Sequence, residues 1–352
     1  MSETKLNNLS IGYIPFSKTI SGPADRRRFI FFAKEAKLKY EIFNPNKIYD
    51  LVIANTLSDP GLLLKLPKKT KLLFDFTDAY MAENIFSIRA LFRGLYKYSK
   101  GLSSKFYLNY KKAFIDIMKR SEVVICSSLE QKKLIMPYCK KIQIILDSHI
   151  EECTKVKKNY NNGEFLNIGW EGQHATLPSL LSLLKKISAS NLNEHIKYHI
   201  VTDENIKTLD KLKYGKSMKR YLKNKNLNII FYPWSIENVN NLADICDFAI
   251  IPVDLKNPMH KLKPENRIHL FWRLGLPVLA SSTDSNVRAM QNCNHDLYAK
   301  TYSEWIKIIE SLRVSPEKIY NYSQTAFDYI NAKFTSKYYV DLWTEALINC
   351  ID

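Results

Sequence analysis

Short apolar runs rich in β-branched residues alternate along this chain with longer amphipathic stretches. This alternation is typical of α/β proteins, in which helices join parallel strands. In the first half it predicts strands at Leu9–Pro15, Tyr40–Phe43, Asp50–Ala54, Lys71–Phe76, Val123–Ser127 and Ile142–Asp147. Helices are predicted between them at Ala24–Leu38, Met81–Lys100, Ser103–Arg120 and Leu129–Tyr138.

The pattern stops at the polar segment Glu151–Gly163, which we interpret as a linker, and then begins again. It predicts strands at Leu166–Trp170, Tyr198–Thr202, Asn228–Tyr232, Phe248–Val253 and Pro277–Ala280, and helices at Leu177–Ser188, Pro264–Leu274, Tyr302–Leu312, Pro316–Ala332 and Ser336–Ile348. We therefore predict two doubly wound domains, 1–155 and 163–335, that face a central cleft. Ligands of such sheets bind at the carboxyl ends of the strands.

The charge is unevenly distributed between the halves. Residues 1–150 carry 26 Lys and Arg against 13 Asp and Glu, whereas the remaining residues carry 26 against 22. A basic half joined to a nearly neutral half indicates an anionic partner, which could be nucleic acid, a phospholipid surface or a phosphate-bearing substrate.

The sequence lacks the characteristic motifs of several classes of protein. The six cysteines include no C-x-x-C pair, and there is neither a P-loop nor a G-x-G-x-x-G phosphate loop, nor an H-E-x-x-H or G-x-S-x-G motif. We expect neither a metal nor a resident cofactor. No apolar run approaches the roughly 20 residues of a membrane span, and the first ten residues show no hydrophobic signal segment. A cytoplasmic protein is the expectation.

The segment Asp247–Ser281 carries the strongest chemical signal. A strand leads into a loop containing Lys261 and Lys263, and the following helix has Glu265, Asn266 and Arg267 in its first turn. A helix N-terminus with added cations is suited to binding phosphate, although an ordinary basic helix start has the same composition.

The end of that segment, Arg273–Ser281 (RLGLPVLAS), resembles the nucleotide-sugar-binding region of group 1 glycosyltransferases of the GT-B fold. The resemblance implies that Lys261, Lys263 and Arg267 neutralise a diphosphate. Members with a paired-glutamate motif have a glutamate where this chain has Leu270, so we expect Glu265 or Asn266 to take over recognition of the ribose.

A second match, LNIGWEGQ, follows the polar segment and contains Gly169 and Gly172. In the family a similar G-x-x-G turn brings backbone N–H groups to the diphosphate, whereas on its own the pattern is a common tight turn. The terminal pattern around Trp343 resembles the last helix of the family, which implies that residues 336–352 complete the N-terminal domain.

Two regions of the first half complete the candidate site. Ser21 and Gly22 precede an arginine triplet, in which Arg26 and Arg27 are candidates for reaching the donor or acceptor. The strand that ends in FDFTDAY contains Asp75 and Asp78. Either could deprotonate an acceptor hydroxyl, or could have the structural role of accepting hydrogen bonds from the backbone.

The segment from residue 89 to residue 120 has nine Lys and Arg against one acid, with aromatic residues interleaved. Such helices bind anionic bilayers, although a solvated basic face is also common.

Together these features predict a glycosyltransferase, of hexosyltransferase type, that moves sugar from a nucleotide-diphosphate donor to a glycan or lipid-linked glycan in surface polysaccharide assembly. It would be peripheral on the inner face of the cell membrane. The alternatives are a nucleic-acid-binding protein, which the one-sided charge disfavours, and a sugar-nucleotide epimerase of the same fold.

Overall fold

A computed structural model of the 352-residue chain describes residues 6–17, 19–82, 88–160, 163–205, 217–223 and 227–352, with the backbone alone for residues 88–91 and 193. It divides into two compact units. The first comprises residues 1–148, 258–264 and 334–352, and the second comprises residues 149–257 and 265–333.

The first unit contains a six-stranded parallel sheet with the order β2-β1-β3-β4-β5-β6. Its strands are β1 Ile11–Tyr13, β2 Glu41–Ile42, β3 Leu51–Asn55, β4 Lys71–Asp75, β5 Val123–Cys126 and β6 Ile142–Ile144. Its helices are α1 Pro23–Arg26, α2 Phe29–Glu35, α3 Pro60–Leu64, α4 Ile88–Ser99, α5 Tyr110–Arg120, α6 Leu129–Ile135, α10 Pro258–Lys261 and α15 Ser336–Ile351.

The second unit contains another six-stranded parallel sheet, with the order β12-β11-β10-β7-β8-β9. Its strands are β7 Leu166–Glu171, β8 Ile196–Thr202, β9 Ile229–Pro233, β10 Phe248–Ile251, β11 Val278–Ser281 and β12 Tyr298–Ala299. Its helices are α7 Leu177–Ile187, α8 Met218–Lys223, α9 Ile236–Ile245, α11 Asn266–Arg273, α12 Asp284–Asn292, α13 Tyr302–Arg313 and α14 Pro316–Lys333.

The central strands are buried on both faces. All five residues of β3 and all four of β10 are buried, as expected for parallel strands that helices cover on each side. In each sheet the strand that comes first in the chain, β1 or β7, lies between two later strands. The strand order therefore reverses at that strand. Both units are therefore Rossmann-like, as the sequence predicts.

The C-terminal helix packs on the first unit. The Trp343 ring stacks on Phe32 of α2 with ring centroids 5.7 Å apart, and the Tyr339 hydroxyl donates a hydrogen bond of 3.2 Å to the carbonyl of Asp147. The Tyr339 and Trp343 side chains are both buried, so this helix contributes to the core of the unit.

The predicted helix Ala24–Leu38 is interrupted in the structure. It becomes α1 and α2, because Arg28 leaves helical geometry at φ −125° and ψ −112°. The interruption places the Arg28 side chain inside the unit, where it meets buried carboxylates, and periodicity alone does not signal such a contact.

Other element boundaries also differ from the predictions. The helix predicted at Ser103–Arg120 begins only at Tyr110, where Asn109 caps it. Residues 83–87 of the helix predicted at Met81–Lys100 lie outside the described residues, as do residues 161–162 of the polar segment. The sequence did not predict α9 and α12, whose caps are Ser235 and Thr283.

The polar segment before β7 is held on the second unit. The amide N–H groups of Thr154 and Lys155 donate to the Asn240 side chain at 2.7 and 3.0 Å, and the Lys157 ammonium donates to the carbonyl of Cys246 at 2.8 Å. Polar composition predicted a linker, whereas these hydrogen bonds fix this part of the segment.

Candidate active site

In the second sheet the strand order reverses at β7, which has β8 on one side and β10 on the other. Ligands of doubly wound sheets bind at such a reversal, beyond the carboxyl ends of the strands. Glu171 is the last residue of β7, and α11 follows β10 along the chain.

Glu171 is a buried carboxylate at this position. Its Oε1 accepts a hydrogen bond of 2.9 Å from the indole Nε1 of Trp234, which follows β9. The amide N–H of Trp234 donates to the carbonyl of Thr202, at the end of β8, at 2.8 Å. The carboxyl ends of three neighbouring strands are thereby joined.

Arg267, in the first turn of α11, reaches the same edge. Its Nη1 donates to the main-chain carbonyl of Glu171 at 3.1 Å. Burial lowers the pKa of the Arg267 guanidinium, and the Glu171 charge opposes this change. The ordinary pKa of a guanidinium is so high that the group stays cationic at neutral pH.

Glu265 occupies the N-cap position of α11, and its side chain makes no capping hydrogen bond. Its Oε2 lies 3.8 Å from Nη2 of Arg288, which is on α12. The start of α11, where Asn266 is the first helical residue, therefore has a second arginine nearby. Arg267 and Arg288 provide positive charge at the end of the helix that already favours anions.

The two glycines of the G-x-x-G pattern have packing roles. Gly169 lies within β7, paired with His199 and Ala249, and a Cβ there would be 3.1 Å from the Cys246 sulfur. The amide of Gly172 donates to the carbonyl of Val201, so this N–H is already satisfied. A Cβ at Gly172 would come 2.7 Å from the Trp170 ring. This arrangement differs from the prediction, in which backbone N–H groups at both glycines contact a diphosphate.

Lys261 and Lys263 lie in the first unit, whereas the prediction placed them in the donor domain with Arg267. The carbonyl of Leu262 accepts hydrogen bonds from the Ser128 hydroxyl at 3.3 Å and the Gln131 amide at 3.5 Å. These contacts hold residues 258–264 against α6 and account for the difference.

Asp75 is an ion-pair partner, in contrast to its prediction as a general base. Arg28 donates two hydrogen bonds to the Asp75 carboxylate, at 2.6 and 2.7 Å, and a third of 3.0 Å to Asp147. Burial raises the pKa of the Asp75 carboxyl, and the Arg28 charge opposes that rise. Burial alone would lower the pKa of Arg28, but the two carboxylates outweigh it and raise that pKa. Both oxygens of Asp75 are thus occupied by a permanent cation.

The loop before α1 is organised by Asp25 and not by the freedom of Gly22. The buried Asp25 carboxylate accepts hydrogen bonds from the Tyr13 hydroxyl and from the amides of Phe16 and Ser17, at 2.6 to 2.9 Å. Gly22 has an ordinary φ of −63°, and the left-handed residue of this loop is Ile20, with φ 59°.

The predicted residues of the same loop lie near its surface. Ser21 is exposed, and its carbonyl accepts a 2.6 Å hydrogen bond from Nη1 of Arg26. Arg26 and Arg27 are partly buried, and the Arg27 carbonyl accepts from the amide of Ser148 at 2.8 Å. Arg28, which the sequence did not single out as a site residue, is the member of the triplet that enters the core.

Asp78 lies beyond the end of β4 with an exposed surface. The surrounding protein still desolvates its carboxyl and raises the pKa, while the nearby Lys263 charge opposes this effect most strongly. An accessible carboxyl with a raised pKa suits proton transfer better than Asp75 does.

Within the described part of the chain, no group of three or more His, Cys, Asp and Glu side chains is arranged to hold a metal ion.

Comparisons with known proteins give a clear result at the level of fold. No family model matches the chain, and neither does any curated protein sequence. Among solved structures, HepE of Anabaena has a TM-score of 0.57 at 13% identity, with 97% of this chain and 100% of that chain covered. WaaG has a TM-score of 0.56 at 10% identity, over 96% and 99% of the two chains. This chain has the GT-B fold.

TarM has a TM-score of 0.58 at 14% identity, with 84% of this chain covered. The aligned region spans 54% of the TarM chain, so this GT-B chain corresponds to about half of that protein. At identities this low the structural similarity shows a common fold only. The roles of the site residues have to be argued from their own chemistry.

Sequence reasoning missed several groups at these edges: Arg28 as a buried ion, Asp147, Glu171, Trp234 and Arg288. Glu171 and Trp234 both stand at the carboxyl end of a predicted strand, where a Rossmann-like sheet presents ligand-binding groups. Their position at the ends of predicted strands was the signal by which the sequence could have identified them. The partners of Arg28 come from residues 75 and 147, and no spacing in the sequence links them.

The two aspartates should respond differently to replacement by asparagine. Asp75→Asn leaves Arg28 without half of its buried ion pair, which typically costs about 3–5 kcal/mol of unfolding free energy. Asp78→Asn, at an exposed site, should change stability by less than about 0.5 kcal/mol. Urea unfolding followed by circular dichroism measures both. Equal, small losses in the two variants would contradict the assignment of Asp75 as structural.

Proposed function

We propose that this protein is a glycosyltransferase that moves a sugar from a nucleotide-diphosphate donor to a hydroxyl group of a glycan acceptor. The observation that carries the proposal is the position of Arg267 in a GT-B fold. It lies at the carboxyl edge of the second sheet, where the strand order reverses, and it donates to the Glu171 carbonyl. The neighbour HepE was solved with UDP and glucose, and WaaG is described as a glycosyltransferase of lipopolysaccharide biosynthesis.

In this proposal Arg267 and the N-terminus of α11 bind the diphosphate, and Arg288 adds positive charge. As the bond between the sugar carbon and the phosphate oxygen breaks, its electron pair leaves with the nucleoside diphosphate. Fixed cations that stabilise this growing charge lower the barrier, and no resident cofactor is required by the scheme. The acceptor oxygen forms the new bond to the sugar carbon, and Asp78 of the first unit takes the proton from the acceptor hydroxyl.

We also propose that the acceptor is lipid-linked and that the protein binds an anionic membrane surface through residues 92–108. This segment exposes seven large apolar side chains: Phe92, Leu95, Tyr96, Tyr98, Leu102, Phe106 and Leu108. Lys100 and Lys105 are exposed among them, and residues 88–108 contain no Asp or Glu. Exposed apolar and aromatic side chains next to cations suit the interface of an anionic bilayer. No described helix is long and apolar enough to span a bilayer.

Lys97, which belongs to the same basic segment, has a different role. Its ammonium lies 4.3 Å from the Tyr110 ring centroid and donates to the Tyr110 hydroxyl at 3.2 Å. Burial lowers the pKa of Lys97 to about 8, the charge of Arg93 adds to this effect, and Asp59 opposes it. Lys97 therefore fixes α4 to α5 and is not counted among the lipid-facing cations.

Donor binding should depend on Arg267. UDP or GDP should raise the melting temperature of the wild type in a thermal-shift assay, since a ligand that binds only the native state stabilises it. Arg267→Ala should weaken that nucleotide about 10- to 100-fold, the usual effect of losing a hydrogen bond to a charged group. Arg220→Ala, an exposed arginine of the same unit, is the matched control. Wild-type protein that binds neither nucleotide would contradict the proposal.

Asp78→Asn should stop transfer and leave nucleotide binding unchanged. Because the pKa of Asp78 is raised, the base becomes ionised, and the rate rises, at a higher pH than an ordinary aspartate would give. Lys263→Met removes a charge that lowers this pKa, so the rising limb should move further up in pH. Acceptor-dependent release of nucleoside diphosphate across a pH series measures both effects. A limb that stays in place in Lys263→Met would exclude Asp78 as the base.

Membrane binding should depend on both the apolar and the basic side chains of the segment. Leu102→Ser/Phe106→Ser and Lys100→Gln/Lys105→Gln should each reduce co-sedimentation with vesicles containing anionic phospholipid, since each lysine near such a surface contributes about 1 kcal/mol. Added salt should weaken binding of the wild type. Val314→Ser/Tyr320→Ser, on exposed apolar residues elsewhere, is the control and should bind normally. Equal binding by all variants would remove this surface from consideration.

A further inference from the structure

A cavity of about 310 Å³ lies in the second unit, at the outer edge of its sheet. Its walls are one face of α13, the first two turns of α14 and the chain that leads into the edge strand β12. On α13 the lining side chains include Glu304, Lys307, Ile308 and Ser311, whose spacing of three and four residues places them on one face. This volume lies at the lower end of the range of small-molecule sites.

Apolar side chains and a strand edge form the floor of the cavity. Leu297 and Leu312 line it and are buried, and Ile308 is partly buried. The carbonyls on either side of Tyr298 accept hydrogen bonds from amides on the β11 side. The carbonyl of Tyr298 itself therefore points away from β11, toward the outer edge of the sheet.

Polar side chains on the walls hold one another in place. The Tyr322 hydroxyl donates a hydrogen bond of 2.5 Å to Asp296, and the Lys318 ammonium donates to the Ser311 hydroxyl at 2.8 Å, which joins α14 to α13. Burial raises the pKa of Tyr322 to about 12, and Asp296 adds to this rise, so the hydroxyl stays protonated at neutral pH. These groups are oriented before a ligand arrives, which lowers the entropic cost of binding.

The charges on the walls balance. Lys307 and Lys318 are exposed, as are Asp296 and Glu304, so the cavity has two cations and two carboxylates. A phosphate or a nucleotide would lie near both carboxylates, and a cationic ligand would lie near both ammonium groups. A sugar ring is neutral, its hydroxyls both donate and accept hydrogen bonds, and its C–H surface suits an apolar floor.

We infer that this cavity is a second saccharide subsite, which binds a neutral sugar residue of the glycan away from the reaction. It lies at the amino end of β12, whereas Arg267 lies at the carboxyl edge of the sheet, beside β7. Three strand spacings of about 4.8 Å, roughly 14 Å in all, separate β12 from β7. The link to the glycan rests on the proposed function, since an acceptor held at a second point has a higher effective concentration at its reacting end.

Binding of neutral trisaccharides tests the cavity without any need for the natural acceptor. Maltotriose, cellotriose and triacetylchitotriose are titrated into the whole chain and followed by saturation-transfer NMR and calorimetry. At least one should bind the wild type with a Kd of about 1 mM or lower. Binding should be the same in about 0.1 M and 1 M salt, because a neutral ligand carries no charge to be screened. Displacement of the sugar by inorganic phosphate would overturn the assignment to a neutral ligand.

Two variants locate the bound sugar. Lys307→Ala removes a donor at an exposed position, and Ser311→Trp fills the cavity. Each should weaken the sugar by about tenfold or more, while UDP still raises the melting temperature as it does for the wild type. Lys185→Ala, at an exposed lysine of α7, is the matched control and should bind the sugar normally.

The outcomes separate this inference from the proposed function. If the wild type binds UDP but none of the trisaccharides at about 10 mM, or if both variants bind them as the wild type does, the inference fails and the proposed function stands. If the variants lose trisaccharide binding but the wild type binds neither UDP nor GDP, the saccharide subsite stands and the proposed function fails.

Discussion

A buried or half-buried guanidinium has to be compensated, and each unit of this protein places one at the carboxyl edge of its sheet. Arg28 is compensated in full, because Asp75 and Asp147 accept three of its hydrogen bonds and the carbonyl of Ile145 accepts another, at 2.9 Å. Arg267 donates to one main-chain carbonyl. The first arrangement compensates the charge with carboxylates of the protein, whereas we propose that an anionic substrate completes the second.

This difference separates structure from chemistry at two sites that look alike in the sequence. Both arginines stand near the start of a helix, where a positive side chain is unfavourable unless an anion offsets it. The first unit supplies that anion from its own strands, and we propose that the second obtains it from a substrate. Glu171 differs from Asp75, because its side chain accepts a hydrogen bond from Trp234 and the hydrogen bond from Arg267 goes to its backbone carbonyl.

The sequence was informative wherever local chemistry decides the structure. Alternating apolar runs predicted the central strands, and the RLGLPVLAS turn is realised with Gly275 at φ 68°, where a Cβ would come 3.0 Å from Val156. It was uninformative where a partner is distant in the chain. The break in the helix at Arg28, the attachment of residues 258–264 to α6 and the contact of Glu171 with Trp234 all depend on such partners. Short capped helices such as α12 were missed because their apolar stripe is brief.

The first unit is assembled from three separate stretches of chain, the last of which is the C-terminal helix with Trp343 stacked on Phe32. Ribosomal synthesis delivers residues 1–148 well before the helix that covers α2, and most of the second unit is made in between. Since domains tend to fold in the order in which they emerge, the second unit can form while the first still exposes the face of α2. Residues 1–148 therefore wait for residues 334–352 to complete their unit, and a chain cut short before residue 334 loses the covering of α2.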